Sequence, residues 1–323
     1  AVQKETYEAE IGNPYRDGHD SKINAGLDAK IGITNDLTLD LTINPDFGQV
    51  EADPAAIALD GFEIFNKEQR PFFIENKNIF DYRYAGNRDN LFFSRRIGRS
   101  PQVYSQNLEN SYIDRPQNTT ILGAAKFSGK TKKGWSIGIL ESMTSKEFSE
   151  INTNGVISEL LVEPFTNYFV GRVQKDMNKR NTFLGGIFTA TNRFLNEATS
   201  ELREAAYSGG IDFRHQWKDR TFYLQTNVVM SHVKGSRESI LATQQSLTHL
   251  FDRVDATHVQ LDPNRTSLTG TGGLVEFGKD GGQNWNYDMG FKWSSPELEL
   301  NDIGFLKRAD QKFQFFNLKY RTA

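Results

Sequence analysis

The sequence predicts an all-β protein: a transmembrane antiparallel meander β-barrel with about twelve strands in this chain, part of a larger barrel, interrupted by a plug-like insertion containing a short helix. Three observations carry this expectation. Apolar and polar residues alternate over runs longer than the roughly five or six residues usual in globular strands. Tight polar turns alternate with long connecting segments, and within each run aromatic and aliphatic side chains fall on one face and charged ones on the other.

A first strand is expected near residues 1 to 11. From Lys22 the odd positions Ile23, Ala25, Leu27, Ala29, Ile31 and Ile33 are apolar, while the even positions Lys22, Asn24, Gly26, Asp28, Lys30 and Gly32 are polar or small. Strand side chains repeat every two residues, so this run has one greasy and one wet face. Asn35-Asp36 then turns the chain into Leu37, Leu39, Leu41 and Ile43, interleaved with Thr38, Asp40 and Thr42, and the pair reads as an antiparallel hairpin. The same alternation flanks GKTKKG, MNKRN, Lys218-Asp219-Arg220 and KDGGQN, predicting four further hairpins, and QKFQFFNLKYR near 311 to 321 is the last strand.

The links between hairpins, at 45–118, 145–164, 192–204, 234–266 and 295–310, are long. Short turns at one end and long loops at the other are expected of an outer-membrane barrel, whose tilted strands need about nine to eleven residues to cross the bilayer. Tyr207, Phe213 and Trp217 on one strand, and Trp285, Tyr287, Phe291 and Trp293 on another, supply aromatic residues to the outward face. Lys22, Asn24, Asp28, Lys30, Asp212, Arg214, Gln216, Asn284, Asn286, Asp288 and Lys292 occupy the opposite one. A barrel of about eight strands is filled by its own side chains, whereas one of twelve or more leaves a polar lumen.

Composition is consistent with this class and excludes others. The 323 residues carry a formal net charge of −3, which names no polyanionic partner and gives no reason to expect nucleic acid. There is no cysteine, hence no disulfide framework and no thiolate metal site. No apolar run is long enough for a membrane helix, but a membrane barrel spreads its hydrophobicity over alternate residues, so a mean hydropathy of −0.57 does not argue for solubility. The opening AVQKETYEAEI has no basic and apolar leader, so a signal peptide is expected to be removed or upstream.

The chain divides into first barrel strands at 1–44, an inserted plug or cap at 45–118, and further hairpins with long outer loops at 119–323. Within the insertion, Asp53-Pro54 has the cap and first-turn residues of a helix start, with Ala58, Phe62 and Phe65 at helical spacing. Asp46, Glu51, Asp53, Arg70, Glu75, Arg95, Arg96 and Arg99 are the candidate plug and lumen contacts. Arginine suits bidentate anion contacts, so SRRIGRSP fits either an anion-selective constriction or a set of ion pairs that hold the insertion in place. The acids also offer oxygen ligands of the kind calcium takes, without the regular spacing of a known loop. His19, His215, His232, His249 and His258 show no metal-ligand spacing, and no phosphate loop or nucleophile motif is present, so no catalytic residue, metal or cofactor is assigned.

NPDFGQVEADPA, RPFF with the following Glu75 and Ile79-Phe80, FSRRIG, EPFTNYFVGRVQKD, LDPNRTSLTG and NDIGFLKRAD occur in order along nearly the whole chain. Together they closely resemble a family of uncharacterised Gram-negative outer-membrane barrels in which the barrel follows a family-9-type carbohydrate-binding module. The resemblance implies a porin-like protein of the bacterial outer membrane whose barrel continues beyond the equivalent of NDIGFLKRAD. The resemblance fixes no function; a barrel with a plug-like insertion is expected to act as a pore, a transporter or a structural subunit of an envelope complex. Outer-membrane lipid and other envelope proteins are the partners it suggests, with carbohydrate reached through a module not present here. The alternative it leaves is a carbohydrate-binding or carbohydrate-processing protein acting with that module.

Overall fold

The computed structural model describes residues 2–23, 25–45, 63–84, 88–104, 111–282 and 284–322. Its strands are β1 (Val2–Thr6), β2 (His19–Ile23), β3 (Leu27–Thr34), β4 (Leu37–Ile43), β5 (Ser111–Asp114), β6 (Ile121–Lys130), β7 (Trp135–Thr144) and β8 (Glu147–Thr153) in the first half. β9 (Val156–Glu163), β10 (Thr166–Met177), β11 (Thr182–Arg193), β12 (Arg203–Trp217), β13 (Phe222–Gly235), β14 (Ser267–Lys279), β15 (Trp285–Ser294) and β16 (Gln311–Tyr320) follow. The short helices α1 (Pro71–Ile74) and α2 (Lys77–Phe80) lie in the insertion, and α3 (Arg237–Gln245) lies in the link after β13.

Eleven strands form one antiparallel sheet in the order β16-β15-β14-β13-β12-β11-β10-β7-β6-β4-β3. All five predicted hairpins are present, joined in sequence order as a meander. Because every pairing is antiparallel, the turns after β3, β6, β10, β12 and β14 share one end of the sheet, and the long links share the other.

The expected closed barrel is not found. Among the described residues β3 and β16 each pair on one side only, so the architecture is a wide open sheet. Two further expectations need correction. The run from Lys22 is not one strand: β2 ends at Ile23 and pairs with β1 in a separate two-stranded sheet, and β3 begins at Leu27. Gly26 marks the break, since a Cβ there would collide with the Asn44 carbonyl. The second concerns loops: β5, from the predicted insertion, joins β8 and β9, from the 145–164 link, in a three-stranded sheet. The predicted helix start at Asp53-Pro54 lies outside the described residues. The described helices fall instead on RPFF and the following KNIF, where Pro71 stands in the first turn of α1 and lacks the N–H that position leaves unpaired.

Registration across the sheet sorts residues as the alternation predicted. Ile139 faces Gly171, Gly171 faces Phe188, Phe188 faces Gly209, and Gly209 faces Met230, all on one surface. Leu27, Ile31, Ile139, Val173, Leu184, Phe188, Ile211, Val228, Met230, Met289 and Phe316 are exposed there. Exposed apolar side chains thus recur along this surface from β3 to β16, and such exposed apolar surface marks a contact with a partner or a membrane. The opposite surface carries Lys30, Asp40, Lys126, Arg172, Asp212, Asn227 and Lys292, and the middle of it is covered.

Candidate functional site on the covered face

Two segments lie on the charged face: residues 63–84 and 88–104 of the insertion and the 295–310 link before β16. Their apolar side chains form one core with the wall. Phe73, Phe80, Tyr82, Tyr84, Leu91 and Ile97 pack with Leu140, Tyr168, Val170, Ile187 and Val229 of the strands and with Leu298, Leu300, Ile303 and Leu306 of the link. Each such side chain taken from water contributes about 1.5–3 kcal/mol, so this contact is the main source of docking energy. The sheet is thinned to receive the bulky rings: a Cβ on Gly138 would lie 2.8 Å from Phe80, and one on Gly210 would lie 2.6 Å from Tyr82.

The two segments are also bonded to one another. Asn90 N donates to the Phe305 carbonyl at 2.9 Å, Phe305 N returns a bond to Asn90 O at 2.8 Å, and Phe93 N donates to Ile303 O at 2.8 Å. Phe65, Phe93 and Phe305 meet as an aromatic cluster with centroid separations of 4.7–5.7 Å. The covering layer is therefore a single unit assembled from distant parts of the chain.

Charged groups fix this unit to the wall at three places. The fully buried Lys126 of β6 donates to Phe72 O and, at 3.0 Å, to Glu75 O, receiving the carbonyls at the end of α1, and it pairs with Asp40 of β4 at 3.4 Å. Beside it Lys30 of β3 pairs with Glu75, and Asn76 Nδ2 donates to Ser128 Oγ at 3.0 Å. At the centre, Arg172 of β10 donates twice to Asp212 of β12, at 2.6 and 2.7 Å, beneath the Tyr82 ring. Paired in this way, neither charge is left uncompensated in a dry site.

The third place joins the link to the long-loop end. Asp302 accepts from Arg193 of β11 at 2.7 Å and from Arg203 of β12 at 2.8 Å, while Glu299 accepts from His249 at 3.0 Å. Burial alone would raise the Glu299 carboxyl, but Arg203 and then His249 overcome it and hold it at about 2. Asp302 is likewise held well below the usual carboxylate range by Arg203 and Arg193 against burial.

The predicted contacts resolve unevenly. Asp46, Glu51 and Asp53 lie outside the described residues. Arg70 is buried and bonds both oxygens of Glu68, at 2.8 and 2.7 Å, as well as the carbonyls of Ser94 and Ile97. Arg96 is buried and makes a fork on Glu63 at 2.6 Å to each oxygen, with a further bond to Gly304 O at 3.0 Å. Arg95 donates to Lys67 O at 3.2 Å and is more exposed. Arg99 contacts Gln102, and burial, followed by repulsion from Arg96, pulls its guanidinium down to about 10. Glu75 is held by the wall lysines. The arginines thus act chiefly inside the covering unit, whereas the wall contacts are made by Lys30, Lys126 and the aromatic rings.

Sequence reading did not single out Glu63, Glu68, Lys126, Arg172, Arg193, Arg203, His249, Glu299 or Asp302 as site residues. For Lys126 and Arg172 the signal was present: each is a charge at an even position of a run whose odd positions face outward. Glu299 and Asp302 lie in an irregular link where no periodicity gives their direction. Among the described residues no cluster of His, Asp and Glu has the geometry of a metal site.

The ordered motifs of this unit, RPFF, FSRRIG and NDIGFLKRAD, sit together on one face, and a family profile described as a domain of unknown function (DUF5916) matches residues 6–323. The chain belongs to the DUF5916 family. The match takes in both the strands of the sheet and the segments covering it, so this DUF5916 domain comprises wall and cover together. No curated protein and no solved structure matches the chain.

Proposed function

We propose that this DUF5916 chain is part of an outer-membrane β-barrel whose polar lumen is occluded by its own residues 63–84, 88–104 and 295–310, and that it works as a gated pore or transporter. The observation that carries the reading is the banding of the apolar face. On β15, Trp285 and Trp293 are eight residues apart on that face, about 27 Å along the strand at ~3.4 Å per residue and roughly 21 Å of depth at a tilt of ~40°, with Met289 and Phe291 between them. The apolar band of an outer-membrane barrel is about 25 Å tall and is flanked by aromatic girdles. At the short-turn end the aromatic row continues across strands, with Trp217 stacked on Phe222 at 6.1 Å, Trp285 against Tyr320 at 4.6 Å, and Trp135 opening β7.

The covering unit gives the reading its gate. A polar face buried under a folded segment with forked ion pairs resists passive leakage, and transport through it requires the segment to shift or leave. Conductance across planar lipid bilayers tests this. The intact chain should insert and conduct weakly, and removal of residues 63–104 should raise single-channel conductance several-fold. Insertion with unchanged conductance after the deletion would limit the unit to a structural cap; failure of the intact chain to insert would overturn the membrane reading.

A further inference from the structure

At the long-link end of the charged face, beneath the cover, three side chains have hydrogen-bonding capacity that the protein leaves unused. Arg193 of β11 has only 1 % of its side chain exposed, and its Nη1 is engaged, donating to Asp302 at 2.7 Å and to the Arg203 carbonyl at 2.9 Å. Its Nε and Nη2 meet no acceptor. Those two groups form the side edge of the guanidinium, a pair of parallel N–H bonds spaced to fit the two oxygens of one carboxylate or phosphate. Thr191, two residues earlier on the same face and fully buried, has an unpaired Oγ1, and the Nε of Arg99 in the cover is buried and unpaired as well.

The topology brings these groups to one place. Thr166 stands opposite Arg193, and Tyr168 opposite Thr191, where β10 begins. Arg99 reaches the same end of β10 from the cover: it contacts Gln102, whose N and Nε2 each donate at 2.9 Å to Glu163, three residues before Thr166. Burial, then Arg96 and further Arg193, pull the Arg99 guanidinium down to about 10, as expected where cations face one another. The acids that could answer them are already engaged: Glu163 by Gln102, Asp302 by Arg193 Nη1 and Arg203, and Glu63 by Arg96. Buried donors without an acceptor are rare in folded proteins, and here they converge.

We propose that the side edge of Arg193, the Nε of Arg99 and the Thr191 hydroxyl form a binding site for a small oxyanion, a carboxylate or a phosphate, which bridges wall and cover. Two parallel donors suit two oxygens better than the single centre of a chloride ion. Lifting residues 88–104 carries Arg99 away from Arg193, so the anion binds the covered arrangement in preference to the open one. The cover is thereby latched with a strength that follows the anion concentration. The inference rests on the contact of cover and wall, so it stands or falls separately from the membrane reading.

Amide exchange of the folded full chain over residues 94–103 tests the site, with sodium phosphate or sodium acetate titrated against sodium chloride at equal ionic strength. Protection should rise about tenfold when the anion reaches about ten times its Kd, with β15 unchanged, and the tighter of the two salts names the source of the oxygens. Arg193→Lys keeps a cation for Asp302 but loses the side edge, and should weaken the anion effect about tenfold or more. Thr191→Val removes an unpaired hydroxyl, so it should be at least as stable as the parent without the anion while weakening the effect severalfold. It is the deciding variant if Arg193→Lys does not fold. Protection no greater than in chloride overturns the site. An anion effect left intact by either folded variant means an adventitious ion only, and overturns it too.

Discussion

The Tyr82 hydroxyl lies 2.8 Å from the carbonyl of Ile211 and 3.0 Å from that of Val228, two residues paired across β12 and β13. A side chain of the insertion therefore bonds two neighbouring strands of the wall, and its ring rests on Gly210, which leaves the space for it. Gly210→Val should expel the ring and loosen residues 71–84 from the sheet, whereas Tyr82→Phe, which keeps the ring and loses the bonds, should cost only about 1 kcal/mol. Amide exchange over Tyr82–Tyr84 should rise sharply for the first and slightly for the second.

Lys126 and Asp40 form a pair in which both partners are buried. Lys126→Met leaves Asp40 uncompensated and releases the carbonyls of Phe72 and Glu75, at an expected cost of about 3–5 kcal/mol. Adding Asp40→Asn should recover a large part of that loss in denaturant titrations. Equal stability of the single and double variants would mean that the pair is not what the wall supplies to the insertion.

On β3 the two faces carry opposite tolerances. Leu27→Arg places a cation on the apolar face at the long-link end of β3, where the cost is below the ~2–4 kcal/mol of a bilayer midplane, and should still impair assembly more than Asp28→Asn. Heat-modifiable gel migration checks the difference, and equal behaviour would mean the faces are assigned wrongly.

Acid should release the 295–310 link from the wall. Glu299 has a folded pKa of about 2 against an ordinary value of 4.5, so the unfolded chain takes up its proton first on acidification. The stabilisation is complete above about pH 4.5 and is lost as pH falls toward 2, on the order of 3 kcal/mol for this group. Asp302, lowered in the same direction, adds to the effect. Exchange protection over Leu298–Leu306 should fall through this window, and Glu299→Gln should flatten the dependence while lowering protection at neutral pH.

Much of the wall was legible because strand alternation reports a face directly: Leu27, Ile31, Phe213 and Trp293 point away from Lys30, Asp212 and Lys292, as their positions in the sequence imply. Closure was not legible, since the pairing of β3 and β16 depends on groups far apart or absent from the sheet. The cover was legible as an aromatic-rich insertion, but its second half was not. Leu298, Ile303 and Asp302 belong to a link with no period, and only folding brings them beside Phe93 and Arg193. The arginine motif was found without its acids: Arg70 and Arg96 bond Glu68 and Glu63, two and thirty-three residues away, which no motif singled out.

The central claim is that the apolar face meets lipid, and all four tryptophans, Trp135, Trp217, Trp285 and Trp293, lie on that face. Fluorescence quenching of the chain in vesicles of lipids brominated along the acyl chain measures this contact directly. The account predicts strong quenching by bromolipid with little quenching by aqueous iodide, and a loss of signal depth-matched to the band ends in single-tryptophan variants. Quenching by iodide with none by bromolipid would place the face in water and contradict the account.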